Sequence, residues 1–212
     1  MINIEKTDVF GWESAIRGMR NPLNSWSKSD SDFTFISPDG DPHIGENDLN
    51  LMRRLVNSGS DHGKFMRMIN VTADITAPMY WWKEYDTYKV GTVANSCSTM
   101  HTIHKKEFTL DDFSHEHLCG DSIKILDKTI EALNFWRDAY MNHPDADKKE
   151  VWWQMIQLLP SSYNQKRTVQ LNYQVLKNIY PARKAHKLDE WHDFCDWIES
   201  LPHSELITCN FD

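Results

Sequence analysis

Apolar and polar positions in this chain change period several times, and the changes mark out its elements. Residues 2–7 suit a short edge strand. Glu13 to Met19 has helical character and stops near Asn21-Pro22, because the residue before a proline disfavours the helix. Ser25 to Asp32 is polar and Ser-rich and reads as a loop. Phe33-Thr34-Phe35-Ile36 reads as a strand, closed by the turn residues Ser37 to Pro42. Glu46 to Asn57 places Leu49, Met52, Leu55 and Val56 on one helical face, with Gly59 past the end. From Phe65 to Ala77, Met66, Met68, Asn70 and Thr72 alternate with Ile69, Val71 and Ala73, which predicts a strand. Pro78 then suits the first turn of a helix carrying Tyr80, Trp81, Trp82 and Tyr85.

Gly91 to Met100 is small and polar and predicts a loop or short strand. Thr109 to Phe113 predicts a short turn or helix start. Ser122 to Met141 predicts a long helix with a broad apolar face of Ile125, Leu126, Ile130, Leu133, Phe135, Trp136 and Tyr140. Asn142-His143-Pro144-Asp145 breaks it, and a further helix runs from Asp147 to Leu159 and ends at Pro160. Thr168 to Tyr180 is read as helix, interrupted at Pro181, and Lys187 to Leu201 as the closing helix. Helices and strands that do not strictly alternate predict an α+β fold. A chain of 212 residues suits one domain, 1–212.

Composition narrows the class. Hydrophobic residues make up 40 % of the chain, and mean hydropathy is -0.61. The longest strongly apolar stretch, Ala77 to Trp82, is far too short for a bilayer span. Met1 to Lys6 lacks the basic-then-apolar pattern of a signal peptide, so a cytoplasmic protein is expected. Cys97, Cys119, Cys195 and Cys209 are then expected as free thiols. Lys and Arg number 23 against 31 Asp and Glu, a net charge of -8. Such a chain is a poor partner for extended nucleic acid, which needs clustered cations, but a mononucleotide needs only a few local donors.

The most informative stretch runs from Leu159-Pro160 through Asn172 to Arg183-Lys184-Ala185-His186, read as a proline-started helix carrying one Asn, one Arg and one His. Arg183 has the planar fork that suits a base or phosphate. The competing reading is a solvated basic cluster with Lys184 and Lys187. Lys89 is either a point charge for a phosphate or a surface lysine paired with Glu84 or Asp86. Cys97 is a candidate thiol nucleophile, though a buried small hydrophobe is the stronger reading. His101, His104 and the run His115-Glu116-His117-Leu118-Cys119 invite a zinc site, but paired ligand spacing is missing and no metal is expected. Tyr80-Trp81-Trp82 and Trp152-Trp153 could stack on a ring; an oligomer interface is favoured for them.

Two segments together resemble the flavin-dependent thymidylate synthases. That family's signature helix begins after Ala-Pro in some members and runs through Arg-Gln to Arg-His-Arg, followed by Ser, Glu, Ser and Arg. Laid from Ala77-Pro78, this chain has Lys83-Glu84, Thr87-Tyr88-Lys89, Thr92, Asn95, Cys97 and Thr99. Lys89 keeps a cation, Thr92 keeps a hydroxyl, and Cys97 puts a thiol where the second Ser stood. The family's Leu-Pro, Asn, Arg and His recur as Leu159-Pro160, Asn172, Arg183 and His186, twelve residues from Pro160 to Asn172 and eleven more to Arg183. The family's Asn-Ala-Arg becomes Asn172-Tyr173-Gln174, and an Arg before the Leu-Pro falls at Ile156. Gly59 to Phe65, with His62, resembles the family's Gly-His-x-x-x-Phe entry to a strand. The likeness covers about residues 45–200 in outline.

The resemblance implies a small, mainly antiparallel sheet flanked by helices and a homotetramer. It implies flavin adenine dinucleotide (FAD) as cofactor, hydride from a nicotinamide cofactor such as NADPH, and methylation of a deoxyuridine nucleotide with carbon from methylenetetrahydrofolate. In that reading His62, Lys89, Asn172 and His186 face the cofactor. Thr92, Cys97, Gln174 and Arg183 face the nucleotide, with Arg183 also serving catalysis. The alternative is a fold relative that has lost the synthase reaction and serves as a nucleotide-binding, regulatory or assembly protein. Replacement of Arg-His-Arg by Thr87-Tyr88-Lys89 is what keeps that alternative open.

Overall fold

In chain order the first half of the protein comprises β1 (Asn3–Phe10), α1 (Trp12–Arg20), β2 (Asp32–Ile36), β3 (Pro42–His43), α2 (Glu46–Asn57), β4 (Asn70–Pro78), α3 (Met79–Tyr85), β5 (Val93–Ser96) and α4 (Thr99–Thr102). The second half comprises α5 (Gly120–Asn142), α6 (Lys148–Leu158), β6 (Asn164–Asn172), α7 (Tyr173–Arg183), α8 (Asp189–Glu199) and α9 (Glu205–Thr208). The structure is a computed structural model that describes residues 1–36 and 42–210; the turn expected over Ser37 to Pro42 falls almost wholly outside them. The fold is α+β. Its four-stranded antiparallel sheet has the order β1-β4-β6-β5, so β1 is the expected edge strand, and β2 pairs with β3 in a separate ribbon. No described helix is long and apolar enough to cross a membrane.

Two expected elements differ from the structure, and both differences concern period. Helix was expected over Thr168 to Tyr180, yet β6 runs to Asn172 and the helix begins only at Tyr173. Gln165, Val169 and Leu171 are buried at every-other-residue spacing, the signature of a strand, and Asn172 then switches the chain to helix. Its side-chain oxygen accepts from the Val175 amide at 3.1 Å, a helix N-cap. Pro181 lies inside α7, not beyond it, and so near the end its missing N–H removes only one bond from the last turn. The strand expected from Phe65 begins at Asn70, because Phe65 and Met66 are buried side by side in a 3-10 turn over Gly63–Arg67. Along β4, buried Val71, Ala73, Ile75 and Ala77 then alternate with half-buried neighbours.

Two compact units share the chain. The first comprises Met1–Asn3, Ile75–Thr87 and Asn95–Arg167, the second Ile4–Asp74, Tyr88–Ala94 and Thr168–Asp212. In the first unit α5 packs on α6, and Ile103, Phe108, Phe113, Leu126, Ile130, Leu133 and Met155 form its core. The broad face expected on α5 is split: Leu126, Ile130 and Leu133 are buried, while Ile125 and Phe135 are exposed by 68 % and 64 %. Trp81 and Trp82 of α3 are buried within the chain, correcting the oligomer-interface place expected for them, and Tyr85 is buried beside them. Their rings interlock, Trp81 with Trp82 at 4.9 Å and stacked with Tyr85 at 5.2 Å. Each such pair adds about 0.5–1.5 kcal/mol beyond its buried area.

In the second unit α1, α2, α7 and α8 bury Trp12, Ile16, Met52, Val56, Leu176, Ile179, Trp191 and Phe194. An ion pair of Arg20 with Asp48 lies inside this core. Arg20 Nε donates to Asp48 Oδ1 at 2.5 Å, and the two side chains are 4 % and 0 % exposed. Asp48 Oδ2 accepts from the hydroxyls of Ser29 and Ser31 and from the amides of Asp30 and Ser31. Arg20 also donates to the carbonyls of Ser25 and Lys28. This network ties the segment 25–31, expected as plain loop and containing a 3-10 turn over Trp26–Lys28, to α2. A buried charge pair of this kind is tolerable only because both carboxylate oxygens and all three guanidinium nitrogens have partners.

Candidate functional site

The first unit carries a cavity of about 510 Å3 where β5 gives way to α4, beside β6. Met79, Lys83, Cys97, Thr99, Gln165 and Arg167 contribute to its walls, together with the hydroxyl residues Ser96 and Ser98. The sheet register places these groups. Cys97 extends β5, its amide donating to the Lys166 carbonyl at 2.9 Å, so the residues that follow Ser96 stay beside β6. Gln165 is buried and its amide nitrogen donates to the Cys97 carbonyl at 2.9 Å and the Thr99 hydroxyl at 3.1 Å.

Arg167 is the principal charge of this cavity. Its Nε donates to Gln165 Oε1 at 3.0 Å, Nη1 donates to Asp86 at 2.7 Å, and the guanidinium lies 4.2 Å over the Trp82 ring. The Trp82 indole N–H in turn donates to the Gln165 carbonyl at 2.9 Å. The guanidinium is therefore planar, oriented and 11 % exposed, whereas its carboxylate partner Asp86 is 49 % exposed. An oriented fork of donors, a lysine and several hydroxyls suit a phosphate or carboxylate. Burial, with the charges of Asp112 and Cys97 adding to it, pushes the Tyr163 phenol up, so Tyr163 stays protonated beside this wall.

Sequence reasoning missed Arg167 and Gln165. The available signal was phase: Gln165, Arg167, Val169 and Leu171 fall on one face at strand period, and a charge in register with buried apolar residues marks a functional candidate. Cys97 was expected as a buried small hydrophobe but is exposed. Among the described residues, no group of three or more His, Cys, Asp or Glu could hold a metal ion.

Seven other expected site residues lie in the second unit, and the structure places six of them on α7, at its ends or on the segment 88–92 beside it. Thr92 donates its hydroxyl to the Tyr88 carbonyl at 2.6 Å, and Tyr88 accepts from Arg183 Nε at 2.8 Å. The Arg183 guanidinium also lies over two rings, 4.5 Å from Trp191 and 5.4 Å from Tyr88. His186 stands 6.3 Å from Trp191, ring to ring, and its Nδ1 accepts from the Leu188 amide at 3.2 Å. At the other end of the segment, Gly91 has a φ of +79°, and a Cβ there would come within 3.0 Å of Val175 and 3.4 Å of the Asn172 amide nitrogen. The segment 88–92 thus lies against α7 from its Asn172 cap to its Arg183 end. Lys89 is exposed on that segment, and Gln174 bonds Asn178 at 3.1 Å along the helix.

His62 belongs to a different place. It lines a second cavity, of about 710 Å3, with Met19, Pro22, Leu23, Leu55 and Phe65 as apolar walls and Lys64 and Arg67 as cations. The volume is that of an ordinary small-molecule site.

No protein-family profile matches the chain, and no curated protein matches it in sequence. Solved structures do match. A flavin-dependent thymidylate synthase from Helicobacter pylori, complexed with FAD and dUMP, superposes with a TM-score of 0.69 at 18 % identity, over 99 % of this chain and 100 % of that one. A second structure of the Helicobacter pylori enzyme with FAD and dUMP gives 0.67 at 17 % identity, over 97 % and 96 %. A UMP/dUMP methylase from Streptomyces cacaoi bound with 5-Br dUMP gives 0.60 at 13 % identity, over 99 % and 95 %. Across essentially its whole length, the chain has the fold of the flavin-dependent thymidylate synthases.

Proposed function

We propose that this protein is a flavin-dependent methylase of the thymidylate synthase type, acting on a uridine nucleotide. The observation that carries the reading is the whole-length likeness to structures that hold dUMP or its bromo derivative, two of them with FAD. The cavity of Arg167 supports it, because Arg167, Lys83 and the hydroxyls of Ser96, Ser98 and Thr99 suit the nucleotide phosphate. Arg183 holds Tyr88 and with it the segment that presents Lys89 and Thr92, which makes Arg183 a positioning residue in this reading.

The donor set of the second cavity fits a flavin. Its apolar walls suit the ring system, and His62, Lys64 and Arg67 suit the anionic tail. When bound, a flavin would supply the redox chemistry, with NADPH as the hydride source and methylenetetrahydrofolate as the carbon source. The chain's own residues bind, orient and exclude water. We read the active form as a homotetramer: Ile125, Phe135, Trp153 and Leu158 leave apolar surface exposed on α5 and α6, and light scattering would give the mass of four chains.

The test is an absorption spectrum after loading with FAD and removing the excess, followed by reaction with dUMP or UMP, NADPH and methylenetetrahydrofolate. A retained flavin band and a nucleotide product carrying one added methyl group are expected. A flavin-loaded protein that methylates neither nucleotide would overturn the enzyme reading and leave a binding protein. A colourless protein that gains no thermal stability from FAD would overturn the flavin reading as well.

A further inference from the structure

The first unit has another groove, of about 460 Å3, that shares only Met100 with the cavity of Arg167. Its walls are Met100, His101, His104, Tyr140, Lys149 and Trp152, with Lys148 beside them. No carboxylate lines it, although the chain carries a net charge of -8. Two acids on the flanking helices, Asp147 and Asp138, are engaged elsewhere. Asp147 caps α6 by accepting from the Lys149 and Glu150 amides, and Asp138 accepts from Asn142 and stands 3.7 Å from His143.

The cations divide into held and available ones. Lys148 Nζ donates to the carbonyls of Tyr140 and His143 and lies 5.4 Å over the Tyr140 ring. Lys149 and His101 are exposed, and neither side chain enters an ion pair among the described residues. Both lie where the N-terminal end of the 11-residue helix α6 adds positive potential. The walls are aromatic and fixed. The His104 ring packs against Tyr140, centroids 4.4 Å apart and tilted by 35°, and the Trp152 indole N–H donates to the Met100 carbonyl at 3.0 Å.

One buried nitrogen in the wall of this groove has no partner, His104 Nδ1. Buried polar atoms in folded proteins are almost always satisfied, so an unpaired nitrogen in a cavity wall points to an occupant with polar atoms. Burial, reinforced by the charges of Lys105 and Arg137, holds the His104 imidazole below its usual pKa, so it is neutral and one ring nitrogen is free to donate.

We propose that this groove is a separate binding site for a nucleoside phosphate, with the base against Tyr140 and Trp152 and the phosphate at Lys149 and His101. Aromatic faces accept any base, and the cations give the site its preference for an anion. The inference does not depend on the methylase reading, since it shares no polar residue with the cavity of Arg167.

Equilibrium dialysis of radiolabelled AMP against the full-length protein tests it, AMP being a purine and so distinct from the uridine nucleotide proposed for the other cavity. Saturable binding is expected, weakened about tenfold or more by the double variant Lys149→Glu, His101→Ala and unchanged by Arg167→Ala. Both replaced side chains are exposed, so the fold should survive, and circular dichroism checks that it does. No saturable binding, equal affinity in the double variant, or loss of binding in Arg167→Ala would each overturn the proposal. Competition by inorganic phosphate as strong as by unlabelled AMP would also overturn it, because no ring would then be recognised.

Discussion

Replacing Arg167 by Ala removes three contacts at once: the 2.7 Å bond to Asp86, the 3.0 Å bond to Gln165 and the 4.2 Å stack on Trp82. The effect on folding should be moderate: an ion pair with a half-exposed carboxylate contributes about 0–1 kcal/mol, and the Gln165 bond and the Trp82 stack add about 1–3 kcal/mol between them. The effect on nucleotide binding should be large. A hydrogen bond to a charged group contributes about 1.5–3 kcal/mol. At about 1.4 kcal/mol per tenfold in affinity, the Kd for dUMP rises about ten- to a hundredfold. Asp86 makes the prediction sharper, because it holds the same guanidinium that a phosphate would claim. Asp86→Asn removes a competitor and should leave affinity unchanged or improved, while Arg167→Lys keeps a charge but not the fork, and should fall between wild type and Ala. Calorimetric titration with dUMP measures all four proteins under one salt condition. An Arg167→Ala variant that stays folded and binds dUMP within about twofold of wild type would show that the phosphate is not held in this cavity. Weakening by Asp86→Asn comparable to Arg167→Ala would show that the pair acts only as a structural unit.

Two further perturbations test the second unit. Asp48→Ala leaves the Arg20 guanidinium buried and uncompensated, so urea unfolding should show a loss of about 3–5 kcal/mol, while the double replacement Arg20→Met, Asp48→Leu should recover much of it. Burial raises the Asp48 pKa, but the hydroxyls of Ser29 and Ser31, Arg20 and the Asp30 amide outweigh it and hold it below 3.8. Its stabilisation is therefore complete above about pH 4 and is lost as pH falls through the folded value; an acid titration of stability in which wild type and Asp48→Asn lose the same amount below pH 4 would refute this. Gly91→Ala forces a side chain into the left-handed region and to 3.0 Å from Val175, so it should cost about 1–2 kcal/mol in thermal unfolding, with no cost counting against the packing of segment 88–92 on α7.

Where the sequence spoke at one period it was read correctly. Glu46 to Asn57 is helix as expected, because Leu49, Met52 and Val56 recur at helical spacing and nothing competes. The long helix at 120–142 is present for the same reason, though its exposed Ile125 and Phe135 show that an apolar residue does not announce what will cover it. The failure at Thr168 came from joining two elements into one. Val169 and Leu171 belong to a strand, Val175, Leu176 and Ile179 to a helix, and only the cap at Asn172 separates them. That cap also explains why Asn172 stood out in the sequence. Its spacing from Pro160 is legible, but its side-chain oxygen is already spent on the Val175 amide. The site charge was illegible because reading 168–180 as helix hid the strand face on which Arg167 stands.

Three arginines of this chain stand in three different settings, and the settings separate their roles. Arg20 is bound to a carboxylate with no exposure, in a network where both carboxylate oxygens and all three guanidinium nitrogens have partners. Exchanging that partner for a ligand would strand a buried charge, so Arg20 is structural. Arg183 rests over the rings of Trp191 and Tyr88 and bonds the Tyr88 hydroxyl, contacts that fix the guanidinium and the segment 88–92 beside it. Arg167 alone of the three combines a cavity wall with an acidic partner that water reaches. Moving Asp86 back into solvent costs little, and a phosphate with its higher charge and three acceptor oxygens returns more than the carboxylate gave. The chain that resembles a synthase with its motif arginines replaced therefore still has an oriented guanidinium to offer an anion, from the neighbouring strand.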